Sequence, residues 1–147
     1  MSPQISKEYV DTGKVRWIFR NFAFLTQDSL NAAEAAYCAN EQDKFWPLKE
    51  VLYANQGSES ATTFSKEQLK KLAKDAGIEP TAFNTCLDSG KYSAQVAKDR
   101  QYGEQQGVQG TPTFMINGRP VNVMDRDPQT TLKNFRRELD AALASTK

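Results

Sequence analysis

The sequence predicts an α/β fold whose sheet is interrupted by an inserted all-helical segment. Three observations carry that expectation. Val15–Phe22 is a β-branched and aromatic run. Ser29 to Gln106 follows a helical pattern throughout. Thr113–Val123 then reads as a hairpin around Asn117-Gly118, before a last helix. Residues 1–28 and 107–147 are expected to form the sheet-bearing portion and residues 29–106 the inserted helical domain. No repeat or low-complexity segment divides the 147 residues further.

Composition narrows the chemistry. Lys plus Arg is 19 and Asp plus Glu is 18, a net charge of +1, so there is no basic footprint for nucleic acid. No apolar run approaches the roughly 20 residues of a membrane span. Histidine is absent, which removes Ser-His-Asp and Cys-His nucleophiles and imidazole zinc sites. Two cysteines cannot build an all-thiolate tetrahedral zinc site in one chain. Neither a metal nor a cofactor is expected. Met1–Val10 has no apolar core of a signal peptide, which implies cytoplasmic synthesis and residence if the chain as given is complete.

Each element has a local cause. Pro3–Thr12 reads as the last turns of a helix, with Ile5, Tyr9 and Val10 on one face and Gly13 as its stop. Val15–Phe22 reads as a buried strand covered on both faces, with Trp17 and Phe19 in its core. Leu30, Ala33, Tyr37 and Cys38 form an apolar stripe that Asp28 or Ser29 would cap. A break at Gln42–Asp43 starts a second helix, with Pro47 near its beginning. Tyr37, Phe45, Trp46 and Tyr53 are expected in the core.

Gln56–Thr63 is a polar loop. Ser65 and Gln68 make a capping-box pattern with Phe64 as a staple, and Gly77 ends that helix. Thr81–Ser89 and Tyr92–Gln106 are helices closed by Gly90 and Gly107. Thr113–Ile116 is a strand, Asn117-Gly118 a type I′ turn, and Arg119–Val123 the antiparallel return, with Pro120 towards an edge. Asp125 and Asp127 are turn and N-cap residues before the helix Pro128–Ser145. Lys66, Lys70, Lys71 and Lys74 read as a solvated helix face.

Gly107-Val108-Gln109-Gly110-Thr111-Pro112-Thr113-Phe114 is the most informative stretch. Two glycines loosen the backbone before a proline at the mouth of a strand. A cis Thr111–Pro112 bond would expose the backbone of Thr111 for pairing with an extended peptide. A trans bond at a strand entry is the commoner arrangement, since only about 5–6% of X–Pro bonds in folded proteins are cis.

Gly107–Gly118, GVQGTPTFMING, resembles the cis-proline segment of the DsbA-like branch of the thioredoxin superfamily. Lys14–Phe24 resembles that family's strand after the active-site helix. Ala32–Trp46, Phe64–Ala76 and Cys86–Tyr92 resemble parts of its inserted helical domain. The resemblance covers essentially the whole chain from Pro3. It implies a thioredoxin-like sheet, a cis Thr111–Pro112 bond, and a peptide-docking loop at Gly110, Thr111 and Pro112.

The family's catalytic Cys-x-x-Cys has no counterpart among these residues. Met1–Ile5 aligns halfway down the helix that would carry it, so that motif and the strand before it are expected to be absent. No catalytic residue is assigned, and the chain as given is predicted to be inactive in disulfide exchange.

Cys38 and Cys86 lie on two different predicted helices. Read from the residues alone they are buried free thiols, a structural disulfide or a redox pair. The family resemblance favours the structural disulfide, which would close a loop worth roughly 4 kcal/mol in the chain-entropy model.

A missing central strand would leave two sheet edges unpaired, each orphaned group costing about 1–3 kcal/mol. Either the remaining strands pair directly, or another chain fills the gap as an added strand or in a homodimer. Two functions follow. One is a DsbA-like thiol–disulfide oxidoreductase scaffold that keeps its docking loop for an extended peptide or protein substrate and works outside the cytoplasm, as the resemblance implies. The other is a non-catalytic peptide-binding or self-assembling module of the same fold.

Overall fold

A computed structural model of the chain describes residues 3–57 and 63–145. Most of the expected polar loop, 58–62, therefore lies outside the described residues, as do Met1 and Ser2. The chain divides into two compact units, Met1–Phe19 with Val108–Lys147, and Arg20–Gly107.

In the first unit, α1 (Pro3–Ile5) runs directly into a π-helical turn (Ser6–Val10). The expected helix is therefore wider and shorter than an α-helix ending at Thr12. The Asp11 amide reaches back five residues to Ser6 O at 3.0 Å. Gly13 follows at φ 72°, in the left-handed region. Ile5 and Tyr9 are buried and pack with Val123, Leu132, Phe135 and Leu139. The last three lie on α7 (Pro128–Ala144) at the i, i+3, i+7 spacing of one helix face. Asp127 caps α7, accepting from the Thr130 amide at 2.7 Å. The Tyr9 hydroxyl donates to Asp140 Oδ1 at 2.8 Å, and Arg136 grips both oxygens of Glu8 at 2.8 and 2.7 Å.

The sheet is a two-stranded antiparallel hairpin among the described residues. Strands β1 (Phe114–Ile116) and β2 (Arg119–Val121) pair Phe114 with Val121 and Ile116 with Arg119. Asn117 and Gly118 both take positive φ, 51° and 79°, as a type I′ turn requires. Phe114 meets Phe135 edge-on at 4.9 Å between ring centroids.

The run 15–22 corrects the sequence reading. It forms neither helix nor strand. Val15 and Trp17 face the core of the first unit, where Trp17 lies 6.0 Å from Phe114. Ile18 is 55% exposed and Phe19 37%. A β-strand exists by its ladder, and among the described residues no neighbouring strand pairs with this run. One side packs, and the side expected to be covered as well stays open.

The second unit is helical. Its elements are α2 (Gln27–Asn40), α3 (Phe45–Ala54), α4 (Lys66–Asp75), α5 (Pro80–Asp88) and α6 (Ser93–Gln105). Its main core joins Ala35, Cys38 and Ala39 of α2 to Leu48, Leu52, Leu69, Leu72, Phe83 and Leu87. Gly77 ends α4 in a Schellman arrangement: Ile78 N bonds Ala73 O at 3.1 Å and Gly77 N bonds Lys74 O at 3.0 Å. Ser65 caps α4 through the Gln68 amide.

Local details differ from the sequence reading. The cap of α2 is Thr26, which accepts from the Ser29 amide. Asp28 instead reaches across to the Phe64 amide at 2.9 Å. Trp46 and Tyr53 are 44% and 60% exposed, outside the core. The lysine run of α4 is only partly solvated. Lys66 donates to Leu87 O at 2.7 Å, and Lys70 pairs with Asp88 at 2.7 Å.

Candidate functional site

The expected docking residues sit on the loop that enters β1. Gly107 takes φ 73°, which lets the chain leave α6 where a side chain would be strained. The Thr111–Pro112 peptide bond is cis. Thr111 and Pro112 are exposed and Gly110 is half-buried. Thr113 Oγ1 donates to Gly110 O at 2.6 Å, closing the loop on itself and fixing the backbone between them. Downstream, Pro112, Thr113, Phe114, Pro120, Val121 and Met124 line much of an open groove of about 360 Å³. Its walls are mainly apolar, and Met124 is 50% exposed. A surface of this kind holds an extended chain through backbone bonds and shallow side-chain contacts.

Cys38 and Cys86 are joined by a disulfide. It links α2 to α5 inside the helical core, with Cys38 1% and Cys86 6% exposed. No free cysteine is present among the described residues. With only two cysteines in the chain, these residues hold no thiolate poised at a helix N-terminus, the group that drives thiol–disulfide exchange.

Two polar clusters of the helical unit escaped the sequence reading. Asp99 on α6 is 3% exposed. It accepts from the Tyr37 hydroxyl and from Gln95 Nε2 at 3.2 Å, with Arg20 at 3.8 Å. Burial, then the bond to Asp99, pushes the Tyr37 phenol up to about 12. The second cluster gathers beside Cys86. Glu41 accepts from Lys91 at 2.6 Å and from the Tyr92 hydroxyl at 2.7 Å, and its Oε1 lies 3.8 Å from Cys86 Sγ. The Lys91 ammonium and then the Tyr92 hydroxyl hold the Glu41 carboxyl below its usual range. The only sequence signal for the first cluster was an Asp on an otherwise ordinary helix. The second spans 51 residues of chain and leaves no local pattern.

Comparison with known proteins agrees with this geometry. A family model described as thioredoxin matches residues 1–141. The probable disulfide bond formation protein D of Bacillus anthracis is 34% identical over 125 residues, covering 82% of this chain and 57% of that protein. Disulfide bond formation protein D of Bacillus subtilis is 30% identical over 129 residues, covering 85% of this chain and 58% of that protein. The chain thus spans little more than half the length of these relatives. The crystal structure of oxidised BdbD from Bacillus subtilis superimposes with a TM-score of 0.81 at 26% identity, covering 97% of this chain and 76% of that one.

Proposed function

Because the chain belongs to the DsbA-like branch of the thioredoxin superfamily, we propose that these residues form the substrate-docking scaffold of a thiol–disulfide oxidoreductase, with no redox turnover of their own. Residues 29–106 act as the inserted helical domain of that scaffold. An extended peptide, a cysteine-bearing segment of a folding protein, docks at Gly110, Thr111 and Pro112. The carrying observation is the exposed Thr111–Pro112 loop beside its apolar groove. The Cys38–Cys86 bridge supports an oxidising, extracytoplasmic setting, where such bridges persist.

Two measurements test this reading. Extended peptides with serine in place of cysteine should shift the amide resonances of Gly110, Thr111 and Thr113 on titration. Unchanged resonances at millimolar peptide would remove the docking role. Insulin reduction and dithiol oxidation should stay at the uncatalysed rate; clear turnover would overturn the assignment of a scaffold without chemistry.

A second reading is favoured by the stretch 16–18, which pairs with no strand among the described residues. Trp17 Nε1 is buried without a hydrogen-bond partner, and β1 has one paired edge among the described residues. These features suit strand addition by a peptide or a second copy. Light scattering on a sizing column separates the two: a stable stoichiometric dimer supports self-assembly, and a monomer refers the edge to a peptide.

A further inference from the structure

Apart from the docking loop, one chemically loaded opening stands out, on the helical unit. An open cavity of about 450 Å³ is lined by Glu41, Glu79, Thr85, Cys86, Ser89 and Lys91 among others. It is lined by Cys86, the less buried residue of the disulfide at 6% exposed against 1% for Cys38. A thiol reagent that enters through this cavity meets Cys86 and not Cys38.

Glu41 stands at that point. Its Oε1 is 3.8 Å from Cys86 Sγ, and a bridged sulfur has no proton to donate. The contact places an anionic oxygen against the electrophilic atom, with no hydrogen bond between them. The oxygen is held there by Lys91 at 2.6 Å and Tyr92 at 2.7 Å. Glu79, whose carboxylate caps α5 at 2.8 Å from the Thr81 and Ala82 amides, adds a second negative charge to the lining. Lys91 supplies the one positive charge there, so the charged lining nets −1.

We propose that Glu41 is an electrostatic guard of the Cys38–Cys86 disulfide, repelling incoming thiolates, while Lys91 sets how strong that repulsion is. The guarded reaction is ordinary exchange with a small thiol. A thiolate attacks Cys86 Sγ, the Cys86–Cys38 bond breaks, and the electron pair leaves on Cys38 Sγ, which takes a proton. A second thiolate then attacks the reagent sulfur of the mixed disulfide and releases Cys86, so two thiols become one oxidised reagent and the bridge becomes two thiols. A unit charge about 4 Å from a thiolate alters its energy enough to change a rate about fivefold even at the dielectric of water.

The test follows reduction of the bridge in the full chain, by alkylation and mass at low ionic strength. Three monothiols are used at matched thiolate concentration: anionic mercaptopropionate, neutral mercaptoethanol and cationic cysteamine. Glu41→Gln is expected to speed reduction by about fivefold or more with mercaptopropionate and least with cysteamine, while Glu41→Asp keeps most of the protection. Lys91→Met gives the opposite sign, slower reduction, with the anionic thiol slowed most. Were the Glu41–Lys91 pair only a structural tie, both variants would loosen the site and speed all three reagents alike. That result, or an unchanged rate in either variant, would overturn the proposal.

Discussion

The Tyr37 hydroxyl on α2 donates to Asp99 Oδ2 on α6, and that carboxylate is nearly closed off from solvent. The bond supplies a proton donor to a charge that water cannot reach. Replacing Tyr37 by Phe removes the donor and leaves the charge in place. Gln95 and the distant Arg20 remain. A hydrogen bond to a charged group contributes about 1.5–3 kcal/mol. Urea unfolding of Tyr37→Phe should show a loss in that range with an unchanged m-value, and Asp99→Asn in the same background should recover part of it.

Alkaline pH should unfold the protein earlier than its carboxylates alone would suggest. Tyr9 and Tyr37 are each pushed up to about 12, first by burial and then by their bonds to Asp140 and Asp99. An unfolded tyrosine titrates near 10. The folded state therefore holds protons that the unfolded state has lost, and stability is complete below about pH 10 and falls as pH rises towards 12. Phenolate absorbance should show three of the five tyrosines titrating late, since the bond to Glu41 raises Tyr92 as well, together with the unfolding transition.

The acid side has the opposite sign. Arg136 lowers the Glu8 carboxyl, and the amides and hydroxyl at the start of α5 lower Glu79. Their stabilisation is present above the ordinary carboxylate range and disappears as pH falls through their depressed values. Glu8→Gln should flatten the acid limb of a stability-against-pH curve measured by thermal unfolding. An unaltered limb would mean that the Glu8–Arg136 grip adds nothing in solution.

Gly103 lies in α6 without a positive φ, and its need for glycine is spatial. A Cβ there would stand 2.6 Å from Phe22 Cδ2 and 2.7 Å from Cε2. Alanine gains about 1 kcal/mol of helix propensity, while crowding a packed ring costs about 1–3 kcal/mol. Gly103→Ala should therefore destabilise by up to about 2 kcal/mol. Combining it with Phe22→Leu should restore part of that loss if the ring is the cause.

Removing the bridge should weaken the helical unit. Cys38 and Cys86 are 48 residues apart, and closing a loop of that length is worth about 4 kcal/mol in the entropic account. The paired Cys38→Ala, Cys86→Ala variant should lose about 2–4 kcal/mol in denaturant unfolding. Addition of reductant should then leave it unaffected.

What was readable from sequence was what local chemistry decides. Gly77, Gly90 and Gly107 end their helices, Asn117-Gly118 turns the hairpin, and Ser65 and Asp127 cap theirs. The loop at Gly110, Thr111 and Pro112 stands out in the sequence because its residues lie together in the chain. The failures share a cause, since each depends on what stands opposite. The run at 15–22 has strand composition, but pairing needs a neighbour. Trp46 and Tyr53 have helical spacing, but the core they were assigned to lies on another face. Asp28 had the chemistry of a cap, and Thr26 took that role once Asp28 reached Phe64 across 36 residues. Glu41 beside Cys86 had no local signature at all.

The division of the chain also orders its birth at the ribosome. The helical unit is one continuous stretch, Arg20–Gly107, whereas the other is assembled from two separated pieces. Glu8 must wait for Arg136, 128 residues later, which at ordinary elongation speeds is roughly 6–26 s. The helical unit has all its partners well before then. Ile5 and Tyr9 meanwhile lack their core until α7 is made.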